Sequence, residues 1–148
     1  MRICKQKNYS YDKVSYWIGL IFMGRILLVD DTMFAKQLLN LILTSEGHEI
    51  VGEANDGIEG IEQYKKLRPD LVLMDMVMPR MGGIECLKEI MKFDTSAKIL
   101  IVSADMQDKH VRETIKGGSL GYIKKPFKKE TVLEEVNLIL NNSGPLAS

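Results

Sequence analysis

The sequence predicts an α/β domain built on a parallel sheet with helices on both faces. Three observations carry this expectation. Between Gly24 and Asn142, short apolar runs alternate with segments whose apolar residues recur at helical spacing, five times over. The runs lack polar alternation, as in Leu71-Val72-Leu73-Met74, which is the pattern of strands covered on both faces. Charged residues directly follow three of them: Asp30-Asp31, Asp75, and Lys125-Pro126. The carboxyl ends of parallel strands gather along one sheet edge, so these residues are expected to share a cleft.

Arg25–Asp30 is the first expected strand. Met33–Ser45 follows as a helix, with Phe34, Leu38, Leu41 and Ile42 as its apolar stripe and Gly47 as its stop. Glu49–Ala54 is the second strand. Ile58, Ile61 and Tyr64 mark a second helix that ends before Pro69. Leu71–Asp75 is the third strand, and Ile84, Leu87, Ile90 and Met91 place the third helix. Lys98–Val102 is the fourth strand. Val111 and Ile115 place a fourth helix that closes at Gly117-Gly118. Leu120–Ile123 is a short fifth strand, and Val132, Leu133, Val136, Ile139 and Leu140 draw one stripe along the last helix. Strand–helix repeats of this kind imply right-handed crossovers.

A chain of 148 residues fits one domain, expected over residues 24–142, with an extension at 1–23 and a tail at 143–148. Lysine plus arginine and aspartate plus glutamate number 20 each, so no basic excess points to nucleic acid. Cys4 and Cys86 sit in unlike settings and read as reduced thiols of a cytoplasmic protein, not as a disulfide. Val14–Met23 is apolar but shorter than the roughly 20 residues a bilayer-spanning helix needs, so no membrane insertion is expected. Arg2, Lys5, Lys7 and Lys13 precede it, yet no small-residue cleavage site follows. Met23-Gly24 reads as a natural start, which would make residues 1–22 an upstream segment.

The expected cleft holds three carboxylates and one ammonium. Two carboxylates ~4 Å apart repel by roughly 4 kcal/mol at an effective dielectric of 20. A divalent cation removes that cost, and Mg2+ suits an oxygen-only donor set that keeps waters. Helix N-capping by Asp31 or Thr32 is compatible with this role. Taken alone, Asp75 reads as a strand-end aspartate capping a loop. A carboxylate in such a cleft can also attack a phosphoryl donor to give a mixed anhydride. Such a transfer depends on positioning and charge neutralisation more than on a strong base.

Asp30-Asp31, Asp75 with Met78-Pro79 and Gly82-Gly83, Ser103-Ala104, and Lys125-Pro126-Phe127 occur in this order, each at a predicted strand end. The set resembles the receiver domain of two-component response regulators, in its stand-alone chemotaxis form. The resemblance covers Gly24 to about Asn142. It implies a flavodoxin-like, doubly wound five-stranded sheet of order 2-1-3-4-5. It implies Asp75 as the phosphoacceptor, Mg2+ ligation by Asp30, Asp31, Asp75 and the Val77 carbonyl, and a cis Lys125-Pro126 bond. Lys125 would pair with Asp75 at rest and with the phosphoryl group after transfer. Ser103 would supply a hydroxyl to that group, and Tyr122 would act with it as a switch. The implied partners are a CheA-like histidine kinase, a flagellar or archaellar motor switch or adaptor protein, and a phosphatase. The partner-binding face would be formed by the fourth helix, fifth strand and last helix.

Val77 and Asp105 stand where the family controls access of hydrolytic water, which bears on the lifetime of the phosphorylated state. Met74, Met76, Met78 and Met81 are expected to pack as core and loop apolar groups, since thioethers suit Cu(I) and not hard cations. His48 and His110 are expected at surface or helix positions. A phosphorelay intermediate is an alternative within the same class. A Mg2+-dependent aspartyl-phosphate phosphatase would want a second carboxylate two residues past the nucleophile, where Val77 stands. A flavodoxin would want a phosphate-binding first loop, whereas Asp30-Asp31-Thr32-Met33 is acidic.

Overall fold

The computed structural model describes residues 23–105 and 107–141. The expected extension, apart from Met23, and the expected tail lie outside the described residues. So does Cys4.

Among the described residues, five parallel strands alternate with five helices. They are β1 (Arg25–Val29), α1 (Met33–Thr44), β2 (Glu49–Ala54), α2 (Gly57–Leu67), β3 (Leu71–Met74), α3 (Gly83–Phe93), β4 (Ile99–Ser103), α4 (Asp108–Lys116), β5 (Gly121–Lys124) and α5 (Lys129–Asn141). The sheet order is β2-β1-β3-β4-β5, as the resemblance implied. No helix among the described residues is long and apolar enough to cross a membrane.

Apolar residues on both sheet faces hide the strand period of two in the sequence, but the packing restores it. Ile26, Leu28, Leu71, Leu73, Leu100 and Val102 face α1 and α5, where they meet Leu39, Leu43, Val136 and Leu140. Their neighbours Leu27, Val29, Val72, Met74, Ile99 and Ile101 face the other way and meet Tyr64, Cys86, Leu87 and Ile90 of α2 and α3. Each such side chain contributes roughly 1.5–3 kcal/mol when fully buried. Met74 and Met76 are buried and Met78 and Met81 pack against the second face, so the methionines are apolar filling.

Two helices turn differently from the expectation. In α1, Phe34 is 75% and Leu41 67% exposed, while Ala35, Leu39, Ile42 and Leu43 face inward. Apolar residues of Phe34–Leu43 cover more than half of the helix circumference, so periodicity alone does not select which part of that arc is buried. In α4, Ile115 is exposed and Thr114 is the buried residue among those described. Its hydroxyl is satisfied by donating to the Val111 carbonyl at 2.8 Å. β4 and β5 end one residue later than expected, because Ser103 pairs with Lys124 in the last step of the ladder.

His48 is not at the surface. It is 4% exposed, its Nδ1 accepts from the Gly24 N–H at 3.0 Å, and its Nε2 meets Asn137 Oδ1 at 3.2 Å. The ring thereby ties the start of β1 to α5. Burial is the main cause of its pKa lying below the ordinary histidine value.

Candidate functional site

The site is aligned by the sheet itself. Val29 lies opposite both Ala54 and Met74, and Ser103 opposite Lys124. Three backbone hydrogen bonds carry this order one step past the strands. Asp30 N–H donates to the Ala54 carbonyl at 3.0 Å, Asp75 N–H to Val29 at 2.9 Å, and Lys125 N–H to Ser103 at 2.9 Å. The residues expected to act together therefore meet at one edge. The Lys125–Pro126 peptide is cis.

Asp30 and Asp75 are buried, at 3% and 8% exposure, while Asp31 is exposed. One carboxylate oxygen from each of the three lies within 4.8 Å of the others. Lys125 Nζ donates to Asp30 Oδ2 at 2.6 Å and to Asp75 Oδ2 at 3.5 Å. The lysine thus favours Asp30, whereas the expectation paired it with Asp75. Asp30 Oδ1 accepts from both the N–H and the hydroxyl of Thr32, at 2.9 and 2.7 Å. Thr32 is the N-cap residue of α1; its side chain makes no capping bond and its hydroxyl instead donates to Asp30. Asp75 Oδ1 accepts from the Met76 N–H at 2.7 Å.

Electrostatics follow from crowding. Burial raises the Asp75 pKa above the usual carboxylate value; Lys125 opposes the shift and Asp30 adds to it. For Lys125, burial works against the ammonium, but the hydrogen bond to Asp30 and the charge of Asp75 carry its pKa above the usual lysine value. Three carboxylates against one ammonium leave an excess of negative charge on hard oxygen donors, with Asp31 at the solvent side. That set fits Mg2+, which takes oxygen ligands and retains waters.

Ser103 is buried, and its Oγ accepts from the Asp105 N–H at 3.2 Å. The Ser103 hydroxyl works slightly against the upward shift of the Asp75 carboxyl. Tyr122 packs against the α2–α3 side of the core, and its hydroxyl donates to the Asp105 carbonyl. Val77 is 68% exposed and borders an open cavity of about 450 Å³ with Met76, Ile84, Lys88, Asp105 and His110. His110, on α4, meets Asp105 Oδ2 through Nδ1 at 2.5 Å.

The sequence reading missed Asp56 and Arg80. Asp56 caps α2 by accepting from the Glu59 N–H at 2.9 Å through Oδ1. Its Oδ2 accepts from Arg80 Nε at 2.8 Å and lies 2.7 Å from an Arg80 terminal nitrogen. Arg80 sits in the loop after Asp75 with φ of 65°. An aspartate before a helix was a legible cap signal, but nothing local marks its arginine partner 24 residues away.

Comparison with known proteins agrees with this geometry. The response regulator receiver domain model matches residues 26–137. The chemotaxis protein CheY of Thermotoga maritima is 47% identical over 115 residues, covering 78% of this chain and 96% of that protein. CheY of Halobacterium salinarum is 43% identical over 116 residues, with coverage of 78% and 96%. Among solved structures, the CheX-CheY-BeF3-Mg complex from Borrelia burgdorferi contains a chain that aligns at TM-score 0.75 and 38% identity, covering 76% of this chain and 85% of that one.

Proposed function

The chain belongs to the response regulator receiver domain family, and from that membership we propose that it is a phosphorylation-activated, single-domain chemotaxis regulator with Asp75 as its phosphoacceptor. Residues 24–142 form the receiver unit in this reading, and the protein works in the cytoplasm. The observation that carries it is Lys125 Nζ set between Asp30 Oδ2 and Asp75 Oδ2 beside a cluster of three carboxylates.

Asp30, Asp31, Asp75 and the Val77 carbonyl would hold Mg2+. Bound there, the ion neutralises the carboxylates and the charge that develops on the transferring group. The donor is a phosphohistidine on a CheA-like kinase. An Asp75 carboxylate oxygen forms the new bond to phosphorus as the phosphorus–nitrogen bond breaks, and the electron pair returns to the imidazole, which takes up a proton. Lys125 then shifts from its carboxylate partners toward a phosphoryl oxygen. Ser103 Oγ accepts from Asp105 N–H, and its own proton would turn to a second phosphoryl oxygen.

Drawing Ser103 toward the new anion would disturb the Asp105 backbone, to which Tyr122 is bonded. The population of loop and ring packings shifts accordingly, and the α4–β5–α5 face changes for a motor switch or adaptor protein. The CheX seated on the Borrelia relative makes a partner of that kind a candidate, as is a phosphatase.

Incubation with Mg2+ and acetyl phosphate is expected to add one acid-labile phosphoryl group, absent in Asp75→Asn. Labelling that persists in the variant would place the phosphoacceptor elsewhere.

A further inference from the structure

The loop from Met76 to Gly82 follows the phosphoacceptor and is fastened on two sides. On its inner side Gly83 N–H donates to the Met76 carbonyl at 2.8 Å. On its outer side Gly57 N–H, at the start of α2, donates to the Met81 carbonyl at 2.9 Å. A Cβ on Gly57 would come within 2.7 Å of that same carbonyl oxygen, so the two backbones are as close as a glycine permits. Beside this contact, Arg80 reaches across to Asp56.

Several features of that pair are unlike an ordinary surface ion pair. Asp56 is 4% exposed, so the arginine compensates a buried carboxylate. One oxygen of Asp56 is committed to the α2 cap, and the other receives both guanidinium nitrogens. Arg80 adopts a left-handed backbone, which is disfavoured for a non-glycine residue. An arginine is held there against its backbone preference, and the charge-assisted hydrogen bonds to Asp56 oppose that cost.

We propose that the Arg80–Asp56 ion pair is a positioning device for the aspartyl-phosphate site. It anchors the 76–82 loop to the start of α2, and so sets how tightly Mg2+ binds beside Asp75 and how fast Asp75 takes a phosphoryl group. Arg80 touches neither ion nor phosphate; it acts through the loop backbone that carries Val77. The inference rests on the functional reading above, because it concerns the same site.

The test compares the wild type with Arg80→Ala, Arg80→Gly, Asp56→Ser and the Arg80→Ala/Asp56→Ser double variant. Serine keeps an acceptor for the Glu59 N–H, so α2 retains a cap while the ion pair is lost. Calorimetric titration with Mg2+ alone is expected to show affinity lowered about ten-fold in each single variant, the scale on which outer-shell partners act. The double variant should be no weaker than either single one. Arg80→Gly separates the two causes: it relieves the left-handed backbone yet should still lose affinity. In metal-free protein, amide exchange at Gly57 should quicken about ten-fold in the same variants, while global unfolding sets a slower ceiling.

Wild-type affinity in Arg80→Ala, or in Arg80→Gly, overturns the proposal even if the protein remains a phosphoacceptor. Unchanged Gly57 exchange overturns it as well. A wild type that shows no Mg2+ heat brings down the functional reading and this inference together.

Discussion

The Lys125 ammonium lies 2.6 Å from Asp30 Oδ2 and 3.5 Å from Asp75 Oδ2, so the lysine is shared unequally between two buried carboxylates. The shorter contact falls on Asp30 and not on the proposed phosphoacceptor. Asp75 is left with the weaker partner, which suits a group that must be free to attack. Lys125→Ala removes compensation from both acids. Without metal it should destabilise the protein by about 1–3 kcal/mol, less than the 3–5 kcal/mol of a fully buried pair, because the lysine side chain is 20% exposed. Thermal melts should show Mg2+ narrowing that deficit, while the response to acetyl phosphate stays lost.

Asp75→Asn should stabilise the metal-free protein. Burial raises the Asp75 pKa, so the folded state holds that proton longer than the unfolded chain does. The corresponding stability is present below the unfolded value and is lost as pH rises through the folded one, leaving ionised Asp75 a cost at neutral pH. The variant's Tm should rise by about 2–4 °C at pH 7, as expected for roughly 1 kcal/mol in a domain of this size. The advantage should shrink when Mg2+ is added to both proteins, as read by scanning calorimetry.

His48 gives the opposite sign. Its Nδ1 accepts a hydrogen bond from Gly24 N–H and therefore must be unprotonated. With its pKa lowered by burial, the histidine contributes stability that is present above its unfolded value, about 6.5. That contribution is lost as pH falls from there through the folded value. Urea unfolding should show the wild type losing stability between pH 7.5 and 5, with a flatter dependence in His48→Gln.

Gly83→Ala should damage fold and site together. A Cβ there would lie 2.3 Å from the Asp75 carbonyl oxygen and 2.8 Å from Met76 Cα, and neither is a flexible group. Overpacking of this kind costs about 1–3 kcal/mol. Chemical denaturation should report the loss, and acetyl phosphate labelling of Asp75 should slow beyond what the unfolded fraction explains.

Cys86 should be inert in the native protein. It is fully buried, and burial first, then Asp56 and Glu85, push its thiol up to about 12. Its Sγ donates to the Gly57 carbonyl at 3.3 Å. Iodoacetamide should leave the Cys86 peptide unmodified until denaturant is added, as read by mass spectrometry.

The legible part of this molecule was its alternation. Unbroken runs such as Leu71–Met74 announce doubly covered strands, and the charged residues after them announce the shared edge. The buried face of α1 was only partly legible, because Gln37, Asn40 and Thr44 mark a narrow polar side while Phe34 and Leu41 extend the apolar arc beyond what the sheet can cover. His48 was hidden for another reason: its partners Gly24 and Asn137 are far away in sequence and meet it only once β1 and α5 are packed. The Arg80–Asp56 pair likewise depends on a left-handed backbone that no local residue preference foretells. Patterns repeated along the chain survive in one dimension, whereas single contacts between distant residues do not.

The ladder hydrogen bonds that run one residue beyond the strands have a thermal consequence. Asp30, Asp75 and Lys125 are each held by main chain from a neighbouring strand, so the three share the rigidity of the sheet. Warming should erode the outer helices' termini long before it blurs this alignment. Competence for acetyl phosphate should accordingly hold level up to the melting transition and then vanish along with it, with no gentle decline beforehand.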